Sequence, residues 1–194
     1  NEQWSEALNY FSQIIAKSQD NPVLWKKIGI CHQNLGHLME SSNALLKAIK
    51  LDPADSEANF MLGTLLLQQG DSEKALEYFI KASDLDQTCV PCFINAGSLY
   101  QQLGRLQDAE KCFLSALKID KNDFQVNLAY ANYLIAAKKH ERALTQLNIV
   151  FSIRPGSPKA TACLASLHAS RGDLQKAVEL YEESMVQGYS NAGV

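Results

Sequence analysis

The stretch from 56 to 89 reads SEANFMLGTLLLQQGDSEKALEYFIKASDLDQTC. Apolar residues recur in this stretch three and four positions apart, as in Leu62, Leu65 and Leu66, and this spacing indicates amphipathic helices. Gly70 interrupts the pattern, because glycine readily takes the left-handed conformation that ends a helix. Strand-like alternation of β-branched residues is missing. The stretch therefore predicts two α-helices joined by a tight turn.

The same pattern recurs along the chain at a fixed interval, which is the separation in sequence between Gly36 and Gly70. Gly104 follows Gly70 at the same distance, and Gly172 lies two periods beyond Gly104. Self-similarity at such a period is typical of repeat proteins, in which each unit buries its apolar face against its neighbours. Aligned on Pro22, the chain divides into a half repeat with only the second helix of a hairpin (1–21), five full units (22–55, 56–89, 90–123, 124–157 and 158–191) and a short tail (192–194).

Two positions of the aligned units hold small residues throughout, and a third holds large ones. The eighth position is Gly29, Gly63, Gly97, Ala131 and Ala165; the twentieth is Ala7, Ser41, Ala75, Ala109, Ala143 and Ala177; the twenty-fourth is Phe11, Leu45, Phe79, Phe113, Leu147 and Tyr181. Glycine inside a helix costs about 1 kcal/mol relative to alanine, so three glycines at one position require a steric reason. We predict that the paired helices cross at the small residues, about 8–10 Å apart, and that the large side chain fills the adjacent space.

This order of small, bulky and aromatic positions resembles the tetratricopeptide repeat, and the resemblance covers essentially all 194 residues. It implies an all-α fold, a right-handed superhelical solenoid of stacked antiparallel helix hairpins. It further implies that the first helix of each hairpin (helix A) lines a concave groove, and that the second (helix B) forms the convex back. Two features depart from the family. Asn59, Asn127 and Thr161 replace a bulky residue of helix A, and Ala137-Lys138 replaces a turn with glycine, which predicts a longer or less sharp turn.

The expected binding surface is one stripe along the helices A. By similarity to the family, positions 2, 5, 9, 12 and 13 of helix A face the groove, and helical spacing places these positions on one side of the helix. The expected partner-binding residues, with the neighbouring asparagine of the third unit, are Lys26, Ile30, Gln33, Asn34, Phe60, Thr64, Leu67, Gln68, Ile94, Asn95, Ser98, Gln101, Gln102, Leu128, Asn132 and Ile135. Amide side chains both donate and accept, so they can pair with the backbone of an extended peptide. We predict a protein partner that presents an extended or helical segment with few charges and with apolar anchors.

Two recognition modes known in this family do not fit the sequence. The clamp that holds the C-terminal carboxylate of heat-shock chaperones would occupy Lys26, Ile30, Met61, Pro91 and Asn95, and only the first of these matches. The asparagine ladder of the O-linked N-acetylglucosamine transferase would occupy Lys27, Met61, Asn95, Ala129 and Cys163, and only one of these is asparagine. We therefore expect neither a chaperone-tail adaptor nor that enzyme's mode of binding.

The overall composition argues against several classes of partner. The formal net charge is −3 and the pI is near 5.8, which gives no electrostatic reason to expect nucleic acid or anionic lipid. Apolar runs long enough to span a bilayer are missing, so we expect no membrane insertion. The beginning of the chain lacks the basic and apolar blocks of a signal peptide, and the chain, which does not begin with Met, is expected to be a fragment.

The five cysteines, Cys31, Cys89, Cys92, Cys112 and Cys163, are odd in number and lack the spacing of a disulfide framework. This favours a reducing compartment, and we expect a cytoplasmic protein. The motif Cys89-Val90-Pro91-Cys92 lacks the strand context of a thioredoxin-like site and the two further ligands of a zinc site. We expect both of its cysteines to be small packing residues between two units.

Sequence motifs of catalysis are missing: there is no nucleotide-binding glycine loop, no nucleophile elbow and no paired-histidine zinc motif. We therefore predict a non-enzymatic scaffold or adaptor that uses no cofactor and no metal. Two alternatives stay open. One is an assembly element that stacks end to end with itself or with further repeats of a larger complex, because Trp4, Phe11, Met185 and Tyr189 leave the ends apolar. The other is the substrate-recruiting repeat region of a larger enzyme.

Overall fold

The computed structural model describes residues 2–191, and the side chains of residues 2–188. In that range the chain forms eleven α-helices and no strand, as the sequence predicts. The helices are α1 (Glu2–Ile15), α2 (Pro22–Asn34), α3 (Leu38–Leu51), α4 (Ser56–Gln68), α5 (Ser72–Leu85), α6 (Val90–Gln102), α7 (Leu106–Ile119), α8 (Phe124–Ala136), α9 (His140–Ile153), α10 (Pro158–Arg171) and α11 (Leu174–Asn191). The predicted tail, 192–194, and the side chain of Tyr189 lie outside the described residues.

The predicted helices A begin at evenly spaced positions, namely Pro22, Ser56, Val90, Phe124 and Pro158. A helix A packs against the helix B that follows it, in pairs such as α2 with α3 and α10 with α11. The chain divides into two compact units, Asn1–Cys92 and Phe93–Val194. In the first unit α3 also packs on α4, and in the second α9 packs on α10. Each unit is therefore an all-α stack of helical hairpins, and the predicted fold class is confirmed.

The turns between helix A and helix B are alike in all five hairpins. Gly36, Gly70, Gly104 and Gly172 have φ between 73° and 86°, and Lys138 takes the same left-handed conformation with φ 57°. The backbone hydrogen bonds also correspond. Gly70 N donates to Leu67 O and Asp71 N to Leu66 O, and Lys138 N donates to Ile135 O and Lys139 N to Leu134 O. The prediction of a longer or less sharp turn at Ala137-Lys138 was wrong, because lysine adopts there a conformation that normally favours glycine.

The helix crossings have the predicted small-to-large packing. In the first unit a Cβ on Gly29 would lie 2.9 Å from Cγ of Leu45, and in the second unit a Cβ on Gly97 would lie 3.0 Å from the Phe113 ring. Both large side chains are almost fully buried, at 0% and 1% exposure. A side chain larger than hydrogen would therefore overpack either crossing.

A capping residue precedes most of the helices A. Side-chain oxygens accept hydrogen bonds from the backbone N–H three positions later, in the pairs Asn21 with Leu24, Asp55 with Ala58 and Asp123 with Val126. These bonds satisfy one of the free N–H groups in the first turn of each helix. The capping residue is in each case the last residue of the preceding repeat unit. The helix starts are therefore encoded at one repeat position.

Two departures from the family pattern bury asparagine in the cores. Asn127 is 1% exposed; its Nδ2 donates to the carbonyls of Lys121 and Asp123, and its Oδ1 accepts from Gln146. Asn59 is 0% exposed, and its Nδ2 donates to Asp55 O over 2.8 Å. Among the described residues, its Oδ1 has no hydrogen-bond partner. The same residue type at the same repeat position is therefore fully bonded in one unit and incompletely bonded in the other.

Candidate functional site

In the first compact unit, the predicted binding residues lie on α2 and α4. We call this set the α2/α4 surface: Lys26, Ile30, Gln33, Asn34, Phe60, Thr64, Leu67 and Gln68. Asn34, Leu67 and Gln68 are exposed, with Leu67 at 37%, and the other five are half-buried. The exposed members cluster at the C-terminal ends of the two helices. This end of the surface is the most accessible to a ligand.

Two polar members of the α2/α4 surface already bond to their own helices. Asn34 Nδ2 donates to Ile30 O over 2.8 Å, and Thr64 Oγ1 donates to Phe60 O over 3.0 Å. Each bond reaches back one helical turn to a backbone carbonyl. The Thr64 hydroxyl donor is therefore occupied, whereas Asn34 keeps its second N–H and its amide oxygen for a ligand.

Lys26 does not present a free charge. Its Nζ lies 2.8 Å from Asp55 and 2.7 Å from Glu57, and only 16% of its side chain is exposed. Burial by itself lowers the pKa of Lys26, but the hydrogen bonds to the two carboxylates outweigh it and raise the pKa. For Asp55, burial by itself raises the pKa, but the hydrogen bonds from Lys26 and from the Ala58 N–H outweigh this effect and lower the pKa. Lys26 thus links α2 to the start of α4, and its charge is compensated where it lies.

Phe60 belongs partly to the core. Its ring packs on Phe79 with centroids 5.6 Å apart and planes tilted by 50°. Phe79 is fully buried, so the edge of Phe60 that faces it is unavailable to a ligand. A charged residue at 60 would disturb the fold as well as any binding. Leu67 is the better apolar position at which to test the surface.

In the second compact unit, the predicted residues lie on α6 and α8. We call this set the α6/α8 surface: Ile94, Asn95, Ser98, Gln101, Gln102, Leu128, Asn132 and Ile135. Gln102 and Asn132 are exposed, and all the others except Leu128 are half-buried. Ser98 Oγ donates to Ile94 O over 2.8 Å. Asn132 Oδ1 accepts from the Cys163 thiol over 3.1 Å, and burial raises the pKa of this thiol to about 12, so it keeps its proton and donates.

Leu128 contradicts the expectation of an accessible anchor. It is only 7% exposed and belongs to the core cluster of the second unit, together with Ala160 and Cys163 of α10. Helices α8 and α10 are in contact, and Leu128 shares its core cluster with these α10 residues. Ile135 also packs against this cluster but stays half-buried. The apolar members of the α6/α8 surface that remain accessible are Ile94 and Ile135.

A polar cluster that sequence analysis did not single out connects α7, α8 and α9. Glu110 lies 2.7 Å from Lys139 and 2.9 Å from Arg142, and it accepts from the hydroxyls of Tyr130 and Tyr133. The two tyrosine rings stack with planes 6° apart. The hydrogen bond from Lys139 lowers the pKa of Glu110. Opposite charges nearly one repeat apart were the available signal in the sequence. The contacts link consecutive hairpins.

The expectation for the CxxC motif was wrong. Cys89 and Cys92 form a disulfide at the start of α6, with Cα atoms 5.4 Å apart. Cys92 is fully buried, but Cys89 is half-buried and partly open to solvent. Two cysteines three positions apart in the first turn of a helix lie close enough for their sulfurs to bond. The disulfide therefore does not need the neighbouring strand of a thioredoxin-like site. Cys31 on α2 and Cys163 on α10 are buried and free.

Residues 2–188 show neither a metal centre nor a candidate membrane span. Among the described residues, no three His, Cys, Asp or Glu side chains are grouped so that they could hold a metal ion. None of the helices in the described part is both long enough and apolar enough to cross a bilayer. The cytoplasmic location expected from the sequence stays a prediction.

Stacked helical hairpins with small residues at their crossings define a helical repeat protein. Family models described as tetratricopeptide repeat match residues 24–55, 44–77 and 66–133. The chain belongs to the tetratricopeptide repeat family. Repeats of this family support a role as a protein-interaction scaffold.

Several curated proteins are similar in sequence. The BBSome complex member BBS4 of Bos taurus is 25% identical over 144 residues, 74% of this chain and 28% of that protein. The E3 ubiquitin-protein ligase CHIP of Arabidopsis thaliana is 24% identical over 117 residues, 60% of this chain and 42% of that protein. The anaphase-promoting complex subunit CDC16 of Saccharomyces cerevisiae is 23% identical over 144 residues, 71% of this chain and 17% of that protein. The chain therefore spans less than half the length of each of these relatives.

Solved structures share the fold. The crystal structure of YrrB, described as a TPR protein with an unusual peptide-binding site, superposes with a TM-score of 0.75 at 18% identity and covers 91% of both chains. The crystal structure of the MamA protein superposes with a TM-score of 0.74 at 20% identity, over 88% of this chain and 93% of that chain. At these identities the likeness establishes the architecture alone.

Proposed function

We propose that the helix A surfaces bind an uncharged, partly apolar peptide segment of a protein partner. The observation that carries the proposal is the chemistry of the accessible side chains on the α2/α4 surface. Leu67, Asn34 and Gln68 are exposed and uncharged, and the one lysine of the surface is neutralised by two carboxylates. Such a surface favours backbone pairing and apolar contact over recognition of charge.

The α6/α8 surface has the same character. Its exposed residues, Gln102 and Asn132, are amides, and Ile94 and Ile135 remain partly accessible. Because Leu128 is buried, the isoleucine edges are the positions for apolar anchors. A segment with small apolar side chains between polar residues fits this surface better than one with large aromatic anchors. YrrB is described as carrying a peptide-binding site, which supports a peptide ligand for a stack of this architecture.

A matched pair of variants tests the proposal. Leu67→Glu changes a 37% exposed leucine on helix A, and Leu46→Glu changes a 45% exposed leucine on helix B of the same compact unit. Peptides are first selected from a random display library against the purified chain. Their affinities are then measured by isothermal titration calorimetry. A short selected peptide is expected to bind in the micromolar range, about −8 kcal/mol.

If the α2/α4 surface binds the peptide, Leu67→Glu should weaken binding by about ten-fold or more. The loss of one apolar contact and the burial of one charge together cost more than about 1.4 kcal/mol of binding free energy. Leu46→Glu is expected to leave the affinity unchanged. Circular dichroism should show equal helicity for both variants. If Leu46→Glu weakens binding as much as Leu67→Glu, the α2/α4 surface is not the binding surface.

A second candidate function is assembly through the last helix. Four apolar side chains on α11 are more than half exposed: Leu174, Val178, Met185 and Val186. BBS4 and CDC16 are each named for a multi-subunit complex, which supports this alternative. Light scattering over a range of protein concentrations tests self-association. A monomer at every concentration would exclude the stacking of identical chains, and Val178→Glu should dissociate any oligomer that forms through α11.

The third possibility is a substrate-recruiting region of a larger enzyme. Its support is the name of one relative, because CHIP is described as a ubiquitin ligase. A peptide selected on the α2/α4 surface would serve this role as well as that of an adaptor. The two are separated by testing whether the full-length protein modifies a partner that carries the selected peptide and spares one in which that peptide is scrambled.

A further inference from the structure

The start of α6 differs from the starts of α2, α4 and α8, which are also helices A. At α2, α4 and α8, the last residue of the preceding unit accepts a hydrogen bond from the N–H three positions later. At α6 the corresponding positions are Cys89 and Cys92, and a disulfide joins them. The Cys92 N–H donates to the Cys89 backbone carbonyl over 3.1 Å, because a cysteine sulfur is only a weak acceptor and cannot replace an aspartate or asparagine oxygen. The covalent bond thus occupies the two positions that the capping hydrogen bond links elsewhere.

We propose that Cys89 and Cys92 form a reversible thiol–disulfide site that reacts with small thiols and disulfides of the glutathione class, and that the disulfide is a redox-dependent cap of α6. This inference is independent of peptide binding. It assigns to the motif a chemical role and a structural consequence, both of which can be measured without a partner protein.

The unequal exposure of the two cysteine residues assigns their roles. Cys89 is half-buried, whereas Cys92 is 0% exposed, so a reagent from solution reaches Cys89. Cys89 also immediately precedes Val90, the first residue of α6, and so stands at the N-terminal end of a helix. Cys92 then acts as the resolving cysteine. Pro91 lies in the first turn, where its missing N–H breaks no helical bond.

Oxidation of the cysteine pair by oxidised glutathione takes two thiol–disulfide exchange steps. The Cys89 thiolate, having given its proton to water, attacks one sulfur of oxidised glutathione, and one glutathione thiolate leaves with the electron pair of the broken S–S bond. Cys92 loses its proton and attacks Cys89 Sγ, which expels the second glutathione thiolate and forms the Cys89–Cys92 bond. The two protons neutralise the two leaving thiolates. Two cysteine thiols are oxidised and one glutathione disulfide is reduced to two thiols; the reverse sequence reduces the protein.

The remaining cysteines provide internal controls. Cys31 and Cys163 are buried, and Cys112 is half-buried. Burial raises the pKa of Cys112 to about 11 and that of Cys163 to about 12, which keeps both as unreactive thiols near neutral pH. Reaction with glutathione is therefore expected at Cys89 alone.

The first experiment equilibrates the native chain in buffers of reduced and oxidised glutathione, alkylates free thiols with N-ethylmaleimide and locates the label by mass spectrometry. The Cys89–Cys92 bond is expected to form and break reversibly as the glutathione ratio changes, while Cys31 and Cys163 remain reduced throughout. In the Cys92→Ala variant, glutathione should remain on Cys89, because the resolving cysteine is absent. Alanine already occupies the corresponding repeat position at Ala58 and Ala160. A pair that stays reduced, or stays oxidised, at every ratio would overturn the proposal.

The second experiment measures the melting temperature of the oxidised and the reduced chain. Loss of a helix cap is expected to lower Tm by about 2–4 °C on reduction. Cys89→Asp restores the capping residue of α4 and α8, so its Tm should lie near that of the oxidised wild type and should not respond to reductant. Equal Tm values for oxidised and reduced wild type, or a Cys89→Asp variant no more stable than the reduced wild type, would show that the disulfide is not a cap.

Discussion

Phe79 lies against the backbone of Gly63: a Cβ added to the glycine would be 2.9 Å from ring atom Cε1 and 3.2 Å from the Ala75 carbonyl oxygen. The Phe79 ring is fully buried, so it cannot move aside without displacing its neighbours. The glycine on α4 is thus required because of a side chain on α5, the next helix of the same hairpin. In the unit 124–157, the corresponding residues are Ala131 and Leu147. In that unit, a bulkier residue at the small position is paired with a less bulky residue at the large position.

Gly63→Ala should destabilise the chain by about 1–3 kcal/mol through overpacking, although alanine is the better helix former. The double variant Gly63→Ala/Phe79→Leu should recover part of this loss, because it reproduces the pair Ala131 and Leu147. Urea unfolding of the two single variants and the double variant gives the coupling free energy. Gly188→Ala is the control, since nothing lies within 4 Å of its Cβ position. Purely additive effects would refute the proposed complementarity.

Lys138→Gly should stabilise the second compact unit. A lysine at φ 57° carries a steric penalty of about 1–2 kcal/mol, part of which glycine loses again through its greater freedom in the unfolded chain. We expect a net gain of about 0.5–1 kcal/mol in the free energy of unfolding, measured from the urea midpoint. The reciprocal change, Gly70→Lys, should reduce stability. A Lys138→Gly variant less stable than wild type would show that the lysine side chain makes a compensating contact.

Asn59 and Asn127 should respond differently to the same substitution. Asn59→Leu removes an oxygen without a partner and one hydrogen bond, so we expect a change within about 1 kcal/mol or a gain. Asn127→Leu breaks three hydrogen bonds and leaves the Gln146 amide without its acceptor, so we expect a loss of about 2–4 kcal/mol. Thermal and urea unfolding measure both. Equal losses would mean that Oδ1 of Asn59 is bonded in solution.

Glu110→Gln should destabilise the chain at neutral pH by about 1–3 kcal/mol, because Lys139 and Arg142 lose their common counter-charge. The pKa of Glu110 is lowered in the folded state, so its contribution is complete above the unfolded pKa, about 4.3, and is lost as the pH falls through the folded value. The difference between wild type and variant should therefore shrink below about pH 4. Glu141→Gln, whose side chain is 81% exposed, is the control and should have little effect. A difference that does not change with pH would exclude the ion pairs as its cause.

Much of the fold could be predicted from local regularities. The spacing of leucines in 56–89 and the evenly spaced glycines located the hairpins and their turns, because helix periodicity and turn conformation depend on residues close in sequence. The pairing of Gly29 with Leu45 was also predictable, since both residues belong to one hairpin. The turn at Lys138 was not, because the preference of a single residue was overridden by the hydrogen bonds of the turn.

The candidate site was predictable only in part. Helical spacing identified the stripe, but the accessibility of each side chain depends on the helix that packs beside it. Leu128 is buried in a core cluster that includes residues of α10, and Lys26 is neutralised by carboxylates at the start of α4. Neither partner is local to the residue concerned. Exposure therefore required the tertiary structure.

The sequence by itself determined that this protein is a stack of helical hairpins, because the size of the side chains at the crossings and the period of the turns are properties of the residues themselves. Only the tertiary structure decided which side chains remain open to a ligand, which charges are paired and that Cys89 is bonded to Cys92. The physical reason is that burial, ion pairing and disulfide formation depend on distances between atoms, and these distances exist only after the hairpins have packed.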